Sequence, residues 1–417
     1  MKIGLNAHLH SQQAGYRSAG IKGYIANLLR HLPASAPDHW QFEALVGAAN
    51  SAEFRRVRLS RSVLDTQSPL RRIIWEQTLQ PLKLRQFDLY HALAFVAPVV
   101  LTAPMVATVY DLSFLRFPER LSPARRLYLR HMTALTCSRA RRVLAISQST
   151  ADDLVTLLGV GADKIDVTPL GFDRAVFRLL SANDSGRFRR EKQLPERFWL
   201  YVGTLEPRKN LSTVLRAYRR LSRSERLPLI LGGGIGWRGR AILDEINQLG
   251  LGDSVKHIGF IPAAELPFWY NCAEAFVYPS VFEGFGLPVL EAMACGTPVL
   301  TSDAAALTEV AGSAGKCIPA NDVDSWADAL KRVKSDEAWR ATAQADGLER
   351  AAQFSWERTA QLTVGSYRKA MKKRNLRQPQ GGDAAYSART RCLKPPAAAN
   401  GNLKDRSSEQ AAGLESK

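Results

Sequence analysis

Two short stretches hold residues whose types and spacing could do chemistry. In PSVFEGFGLPVLEAMACGTPV, the carboxylates of Glu283 and Glu291 flank a glycine-rich turn. Gly284 and Gly286 let backbone approach a ligand closely, Pro288 suits a first helical turn, and Gly296 with Pro298 suits its end. The pattern therefore predicts exposed N–H groups at a helix N-terminus, a place for negative charge. Glu291 lies one turn in, with its side chain tilted back toward the turn. Two carboxylates framing an anion site fit hydroxyl acceptors for a sugar or a ribose better than surface charges. In YVGTLEPRKN, the strand FWLYV ends at Gly203 and a helix starts near Asn210, a good cap residue. That places Arg208 and Lys209 in a loop at the carboxyl end of a strand, where open α/β sheets bind ligands. Adjacent cations there can neutralise a diphosphate and stabilise it as a leaving group; the alternative is a solvated basic loop. A third pattern, GxGxxG at Gly234, Gly236 and Gly239, follows the strand-like LPLIL. A dinucleotide site also wants an acid at the end of the next strand. VKHIGF ends without one, and Asp253 precedes it, so the turn is read as approaching some other ligand.

These loops need strands and helices to hold them. KIGLNA opens as a buried strand, followed by a glycine-rich loop (Gly15, Gly20, Gly23) and the helix-like YIANLLRHL. FEALVG, LYHALAF, MVATVYDLSF and VLAIS then alternate with helix-like runs, which predicts a parallel sheet covered on both faces. A second alternating series runs through FWLYVG, LPLIL, VKHIGF, AFVYPS and TPVLTS. The expected organisation is an α/β chain of two Rossmann-like parallel-sheet domains facing a cleft. The first spans residues 1–172 and a linker 173–195. The second spans 196–354, a closing helix 355–374 returns to the first domain, and a disordered tail covers 375–417. His91 to Tyr110 carries no formal charge, but Pro98 and Pro104 divide it, so it reads as two short buried strands rather than a membrane span. The five cysteines are scattered without CxxC spacing, which points away from a disulfide framework or zinc site and toward a reducing compartment. MKIGLNAHLHSQQ lacks the apolar core of a secretory signal. The 417 residues hold 57 Lys and Arg against 39 Asp and Glu, a net charge of +18. That excess calls for an anionic partner: nucleic acid, a membrane surface or a phosphorylated substrate.

GTLEPRKN followed by FEGFGLPVLEAMACGTPV, with its E-x7-E spacing, strongly resembles the retaining family-four glycosyltransferases, which have the GT-B architecture. The likeness extends through WEQTLQPL, LYHALAF, VYDLSFLRFPE, AISQSTADDL and DVTPLGFD, to about residue 372. The resemblance implies that Lys209 contacts the donor diphosphate, that Glu283 lies close to the transferred sugar, and that Glu291 holds the ribose hydroxyls. Thr204 stands where relatives often carry an arginine, and Arg208 is the residue placed to supply that charge. The backbone of Gly284, Phe285, Gly286 and Leu287 would line sugar and phosphate. Phe260 and Ile261 would meet the base, and Gly20 and Gly23 would face the diphosphate across the cleft. Tyr110 replaces a histidine that in relatives reaches the donor sugar, so either Tyr110 or Asp111 takes over that contact; His91 is either a cleft residue or a core histidine.

The implied activity is transfer of a hexosyl group, mannose from GDP-mannose first among candidates, to a saccharide or lipid-linked saccharide in bacterial surface-polysaccharide assembly, lipopolysaccharide included. The leaving phosphate takes the acceptor proton, so no metal and no cofactor beyond the nucleotide sugar is expected, and domain closure excludes water. The basic clusters are RRVRLSR and Arg125, Arg126, Arg130, Arg139, Arg141 and Arg142. They suggest a cytoplasmic enzyme held peripherally on an anionic inner membrane face. Nucleic acid is not expected, since no recognised binding motif accompanies the charge. The competing readings are a catalytically inactive nucleotide-sugar or nucleic-acid binding protein and a GT-B-like sugar-nucleotide epimerase.

Overall fold

Short runs rich in Val, Leu, Ile and Phe, apolar on both faces, suit strands buried between two helical layers. In the computed structural model, which describes residues 1–10, 19–48 and 53–372, they form two all-parallel sheets. The first contains β1 (Lys2–Asn6), β2 (Gln41–Val46), β3 (Val57–Arg61), β4 (Leu89–Ala92), β5 (Met105–Val109), β6 (Arg142–Ala145) and β7 (Ile165–Val167), in the order β3-β2-β1-β4-β5-β6-β7. The second contains β8 (Trp199–Val202), β9 (Leu229–Gly232), β10 (Val255–Gly259), β11 (Ala275–Tyr278), β12 (Val299–Ser302) and β13 (Lys316–Ile318), in the order β10-β9-β8-β11-β12-β13. Strand order reverses between β1 and β4 in one sheet and between β8 and β11 in the other. Loops leaving the carboxyl ends of such neighbouring strands diverge and open a crevice for ligands. The uncharged stretch His91–Tyr110 contributes to β4 and supplies β5, both buried, and no helix among the described residues is long and apolar enough to cross a membrane.

Between β7 and β8 the chain forms a helix, Ala182–Glu191, whose Phe188 is buried and stacks on Phe268 with ring centres 5.1 Å apart. The last described helix, Trp356–Met371, packs against the opening helix Ala19–Ser35 and against β5 and β6 of the first sheet. Its Tyr367 hydroxyl meets His91 Nδ1 at 2.7 Å, while His91 Nε2 meets Thr108 Oγ1 at 2.8 Å. His91 is fully buried, and burial pushes its pKa down to about 3. It is a core histidine that seats the returning helix. The two passages between the sheets touch: a Cβ on Gly171 would lie 2.2 Å from the Trp356 backbone nitrogen, and Thr359 Oγ1 donates to the Pro169 carbonyl at 2.6 Å. The expected tail, 375–417, lies outside the described residues, as does Gly15.

Candidate functional site

Arg208 and Lys209 follow β8 and Glu283 follows β11, so all three arise from the pair of loops at the reversal of the second sheet. A 3-10 turn, Pro207–Lys209, ends in Asn210 with φ 54°, and the next helix begins at Leu211. Asn210 stands at the cap position, but its amide donates to the Ala320 carbonyl at 2.7 Å instead of capping the helix. The turn aims the Lys209 ammonium at Glu283 Oε1, 2.5 Å away, and at the Tyr278 hydroxyl, 2.6 Å away. Arg208 Nη1 lies 3.1 Å from Glu283 Oε2 and also donates to the Phe282 carbonyl. Its Nε and Nη2 reach Glu206 Oε1 at 3.1 and 2.9 Å. These side chains are nearly closed off from solvent, so their charges act on one another at low dielectric.

Burial alone would push the Glu283 carboxyl up, but the Arg208 and Lys209 charges together win and leave it at about 2. For Arg208, burial works against the charge and the Glu283 and Glu206 carboxylates more than offset it. Burial pulls the Lys209 ammonium below its ordinary value, against the opposing pull of Glu283. Arg208 is thus held ionised, and both side chains are fixed in place, an arrangement suited to a phosphate-rich ligand that can compete for their contacts with Glu283.

The glycine turn leads into the helix Leu287–Ala294, with Gly286 at its cap position (φ 116°), Pro288 in the first turn, and N–H groups at its start as expected. Phe285 is buried, and Leu287 is partly so. Glu291, one turn into the helix, projects toward Tyr270, whose hydroxyl donates to Oε2 at 3.3 Å. Burial pushes its carboxyl up to about 8, so at neutral pH it is mostly protonated. Glu283 and Glu291 therefore differ in charge: one is held ionised by cations, the other kept neutral by burial.

Gly284 is glycine for a different reason. A Cβ there would sit 2.3 Å from the Tyr110 carbonyl oxygen, and the Gly284 carbonyl accepts from Ser147 Oγ at 2.7 Å. Its backbone is pressed against the ends of β5 and β6, so it joins the two sheets. Nearby, the backbone N–H of Gln148 at the next helix start meets both oxygens of the Glu309 carboxylate, at 2.9 and 2.8 Å. Tyr110 does not substitute for the histidine of relatives: it is buried and its hydroxyl donates to the Leu93 carbonyl at 2.5 Å. Asp111, partly exposed and accepting from the Ser113 N–H at 2.8 Å, is left as the candidate.

Other expectations need correcting. Gly20 and Gly23 are not in a loop; they lie in the opening turns of the helix Ala19–Ser35, where Gly20 is exposed and the Gly23 carbonyl accepts from Asn27. The GxGxxG turn lies with its backbone against that of Leu205. Leu205 N–H donates to the Gly234 carbonyl and Gly236 N–H to the Leu205 carbonyl, both at 2.9 Å, so this turn braces the Arg208–Lys209 loop. After β10, Phe260 is exposed, whereas Ile261 is buried over Gly232. Sequence reasoning passed over Glu206, Tyr278 and Arg120. Glu206 had a local signal, an acid two residues before Arg208; Arg120 comes from the other sheet and had none.

With this geometry in view, comparisons with known proteins identify the chain. Residues 19–176 match the family described as Glycosyltransferase Family 4, and residues 183–351 match Glycosyl transferases group 1. The O-antigen chain mannosyltransferase B of Escherichia coli is 34% identical over 282 residues, 67% of this chain and 74% of that protein. The chain belongs to the group 1, family 4 glycosyltransferases. The transferase is also 34% identical, over 55% of its length and 57% of the relative's, to a D-inositol 3-phosphate glycosyltransferase of Kribbella flavida. Serotype-specific mannosyltransferase WbdA of Escherichia coli matches at 33% over 55% of the transferase, which spans only 29% of that longer protein. Among solved structures, sucrose-phosphate synthase of Thermosynechococcus elongatus superposes with a TM-score of 0.68 at 23% identity, over 88% of the transferase and 98% of that chain, which shows the GT-B fold. The family is a retaining family of hexosyltransferases, and the transferase is an enzyme of that class.

Proposed function

We propose that the transferase moves a mannosyl group from GDP-mannose to a hydroxyl of a saccharide or lipid-linked saccharide in surface-polysaccharide assembly. The observation that carries this reading is the convergence of Lys209, Arg208 and Glu283 at the reversal of the second sheet, beside a helix N-terminus. The mannosyltransferase names of its relatives support the choice of sugar. A structural neighbour, Anabaena HepE, is described in complex with UDP and glucose at 20% identity and a TM-score of 0.68, which makes UDP-glucose the donor to test against GDP-mannose. Lys209, Arg208 and the N–H groups before Leu287 would take up charge on the departing diphosphate. Glu283, ionised, faces the anomeric centre, while Asp111 contacts the sugar from the first sheet. Gly284, Phe285, Gly286 and Leu287 line the sugar and phosphate, with Gly20 and Gly23 opposite. Glu291 takes the ribose hydroxyls and Phe260 the base beside Ile261. Mass spectrometry of products from GDP-mannose, UDP-glucose and UDP-galactose with a panel of lipid-linked acceptors tests it. Transfer from a UDP-sugar alone overturns the mannosyl assignment.

The acceptor reading draws support from one surface. Leu70 and Ile74 on the helix Pro69–Thr78, Val99 and Val100 after β4, and Leu127 on the helix Pro123–Arg139 are exposed. Gln77 Oε1 accepts from Val99 N–H at 2.9 Å and Arg139 donates to the Val99 carbonyl, so these segments adjoin. The two helices carry one acid, Glu76, buried on Asn6. Arg71, Arg125, Arg126 and Arg130 are exposed among the apolar side chains. Arg56, Arg141 and Arg142, by contrast, are tied to Asp38, the Ala370 carbonyl and Asp166. Apolar and basic groups together fit an anionic lipid surface. Cosedimentation with phosphatidylglycerol vesicles but not with phosphatidylcholine vesicles is the expected result; retention on RNA instead would reverse the assignment.

A further inference from the structure

The donor loop is reached by a charged side chain from the first sheet. Between β5 and the helix Pro123–Arg139, the chain makes two short turns, Ser113–Arg116 and Pro118–Arg120. These turns rest on the Glu283 loop: the Phe117 and Phe282 rings lie 5.7 Å apart, and the Arg116 guanidinium stands 5.6 Å from the Phe282 ring centre. From their end, Arg120 Nη2 reaches Glu206 Oε2 at 2.7 Å. The other oxygen of Glu206 takes both Nε and Nη2 of Arg208, whose Nη1 in turn faces Glu283. Arg120, Glu206, Arg208, Glu283 and Lys209 therefore form a chain of alternating charge from one sheet to the centre of the site.

Two features argue that this chain does more than fasten surfaces. Glu206 is almost completely buried, so without Arg120 its outer oxygen would lose its partner away from water. Arg120 itself has a buried Nε with no hydrogen-bond acceptor, an arrangement that costs stability and calls for a reason. The reason we see is orientation. A carboxylate gripped on one oxygen by Arg120 has one way left to present the other, and that oxygen sets the plane of the Arg208 guanidinium. We propose that Arg120 is a positioning residue for the transfer reaction, acting through Glu206 to hold the Arg208 guanidinium against Glu283. It also makes this geometry conditional on the approach of the two sheets, because Arg120 and Glu206 lie on opposite sides. The proposal rests on the reading that Arg208, Lys209 and Glu283 serve the sugar donor.

The test compares Arg120→Met, Arg120→Lys, Glu206→Gln and the double variant Arg120→Met/Glu206→Gln in the full chain. Arg120→Met is expected to lower kcat for transfer about 10- to 100-fold, the scale of a misplaced catalytic group, while nucleoside diphosphate affinity by calorimetry changes less than about threefold. Arg120→Lys should recover part of the loss, since an ammonium can still meet one carboxylate oxygen. The double variant should be no worse than the poorer single one, as for residues that act as a unit. Hydrogen exchange gives a readout free of turnover: amides of residues 203–210 should exchange faster in Arg120→Met. Unchanged kcat, additive losses in the double variant, or unchanged exchange in that loop would each overturn the proposal. A wild-type chain that transfers from no nucleotide sugar would overturn the donor reading instead, and the exchange comparison would still decide whether Arg120 orders the loop.

Discussion

Replacing Glu291 with glutamine should make the protein more stable in alkali and change how its nucleotide site handles protons. Burial raises this carboxyl from an ordinary 4.5 to about 8. Between those values the folded chain keeps a proton that the unfolded chain has released. Stability therefore falls as pH rises across that window and is level outside it. At about 1.4 kcal/mol per tenfold change, the full span corresponds to roughly 5 kcal/mol by pH 8. Glutamine keeps an acceptor for the Tyr270 hydroxyl and has no charge to bury. Urea unfolding from pH 4.5 to 9 should therefore show a wild-type-minus-variant difference that grows steadily with pH and levels off near 8. Ligand binding supplies the second measurement. On the proposed donor reading, ribose hydroxyls donating to Glu291 would favour its ionised form, so GDP binding at pH 7 should release close to one proton from the wild type and none from Glu291→Gln. Calorimetry in buffers of different ionisation enthalpy reads that number directly. A pH-independent stability difference together with no difference in proton release would refute the burial argument and remove Glu291 from the nucleoside site.

Glu283→Gln and Lys209→Met should each lower transfer at least about 100-fold, by analogy with loss of a transition-state charge partner, and product formation under saturating donor measures it. The ion group should also make the wild type acid-sensitive. Because the Glu283 carboxyl lies at about 2, its contribution is complete above its ordinary value of 4.5 and is lost as pH falls through 2, a loss that thermal melting should not show in Glu283→Gln. Gly171→Val places a Cβ 2.2 Å from the Trp356 backbone nitrogen, and denaturant unfolding should show about 1–3 kcal/mol lost. His91→Leu leaves the buried Tyr367 hydroxyl without its partner, while Thr108 keeps Tyr24, at about 1–3 kcal/mol, with no change in donor KM if the histidine serves the core alone.

Both sheets were legible in the sequence because parallel strands buried on two faces read as short apolar runs, and helices had to alternate with them. The E-x7-E block and the Arg208–Lys209 pair were legible because each is local: turn, cap and functional group lie within a few residues. The errors arose where the decisive neighbour is distant in the chain. Nothing near Tyr110 announces that its hydroxyl will end on Leu93, and nothing in the Gly234–Gly239 turn announces that Leu205 will lie against it. Gly20 and Gly23 resembled loop residues by composition, yet the surrounding helix, held by its buried Tyr24, Ile25 and Leu28, outweighs the poor helical propensity of glycine. Arg120 and Glu206 meet only because two sheets come together, which no spacing within either segment encodes.

The chain crosses between its sheets twice, and the crossings lie side by side, Gly171 against Ser355 and Trp356, with Arg174 donating to the Ala352 carbonyl at 2.6 Å. A single tether works like a ball joint and lets two bodies swivel in any direction. Two tethers bound together work like a door hinge. They leave one easy swing, about the line through the pair, and resist both twist and sideways slip. Any opening and closing about that hinge would bring Arg120 back to Glu206, and Ser147 back to Gly284, in the same register. A site whose charged groups are shared between two bodies would then need no search for alignment if the bodies part and meet again.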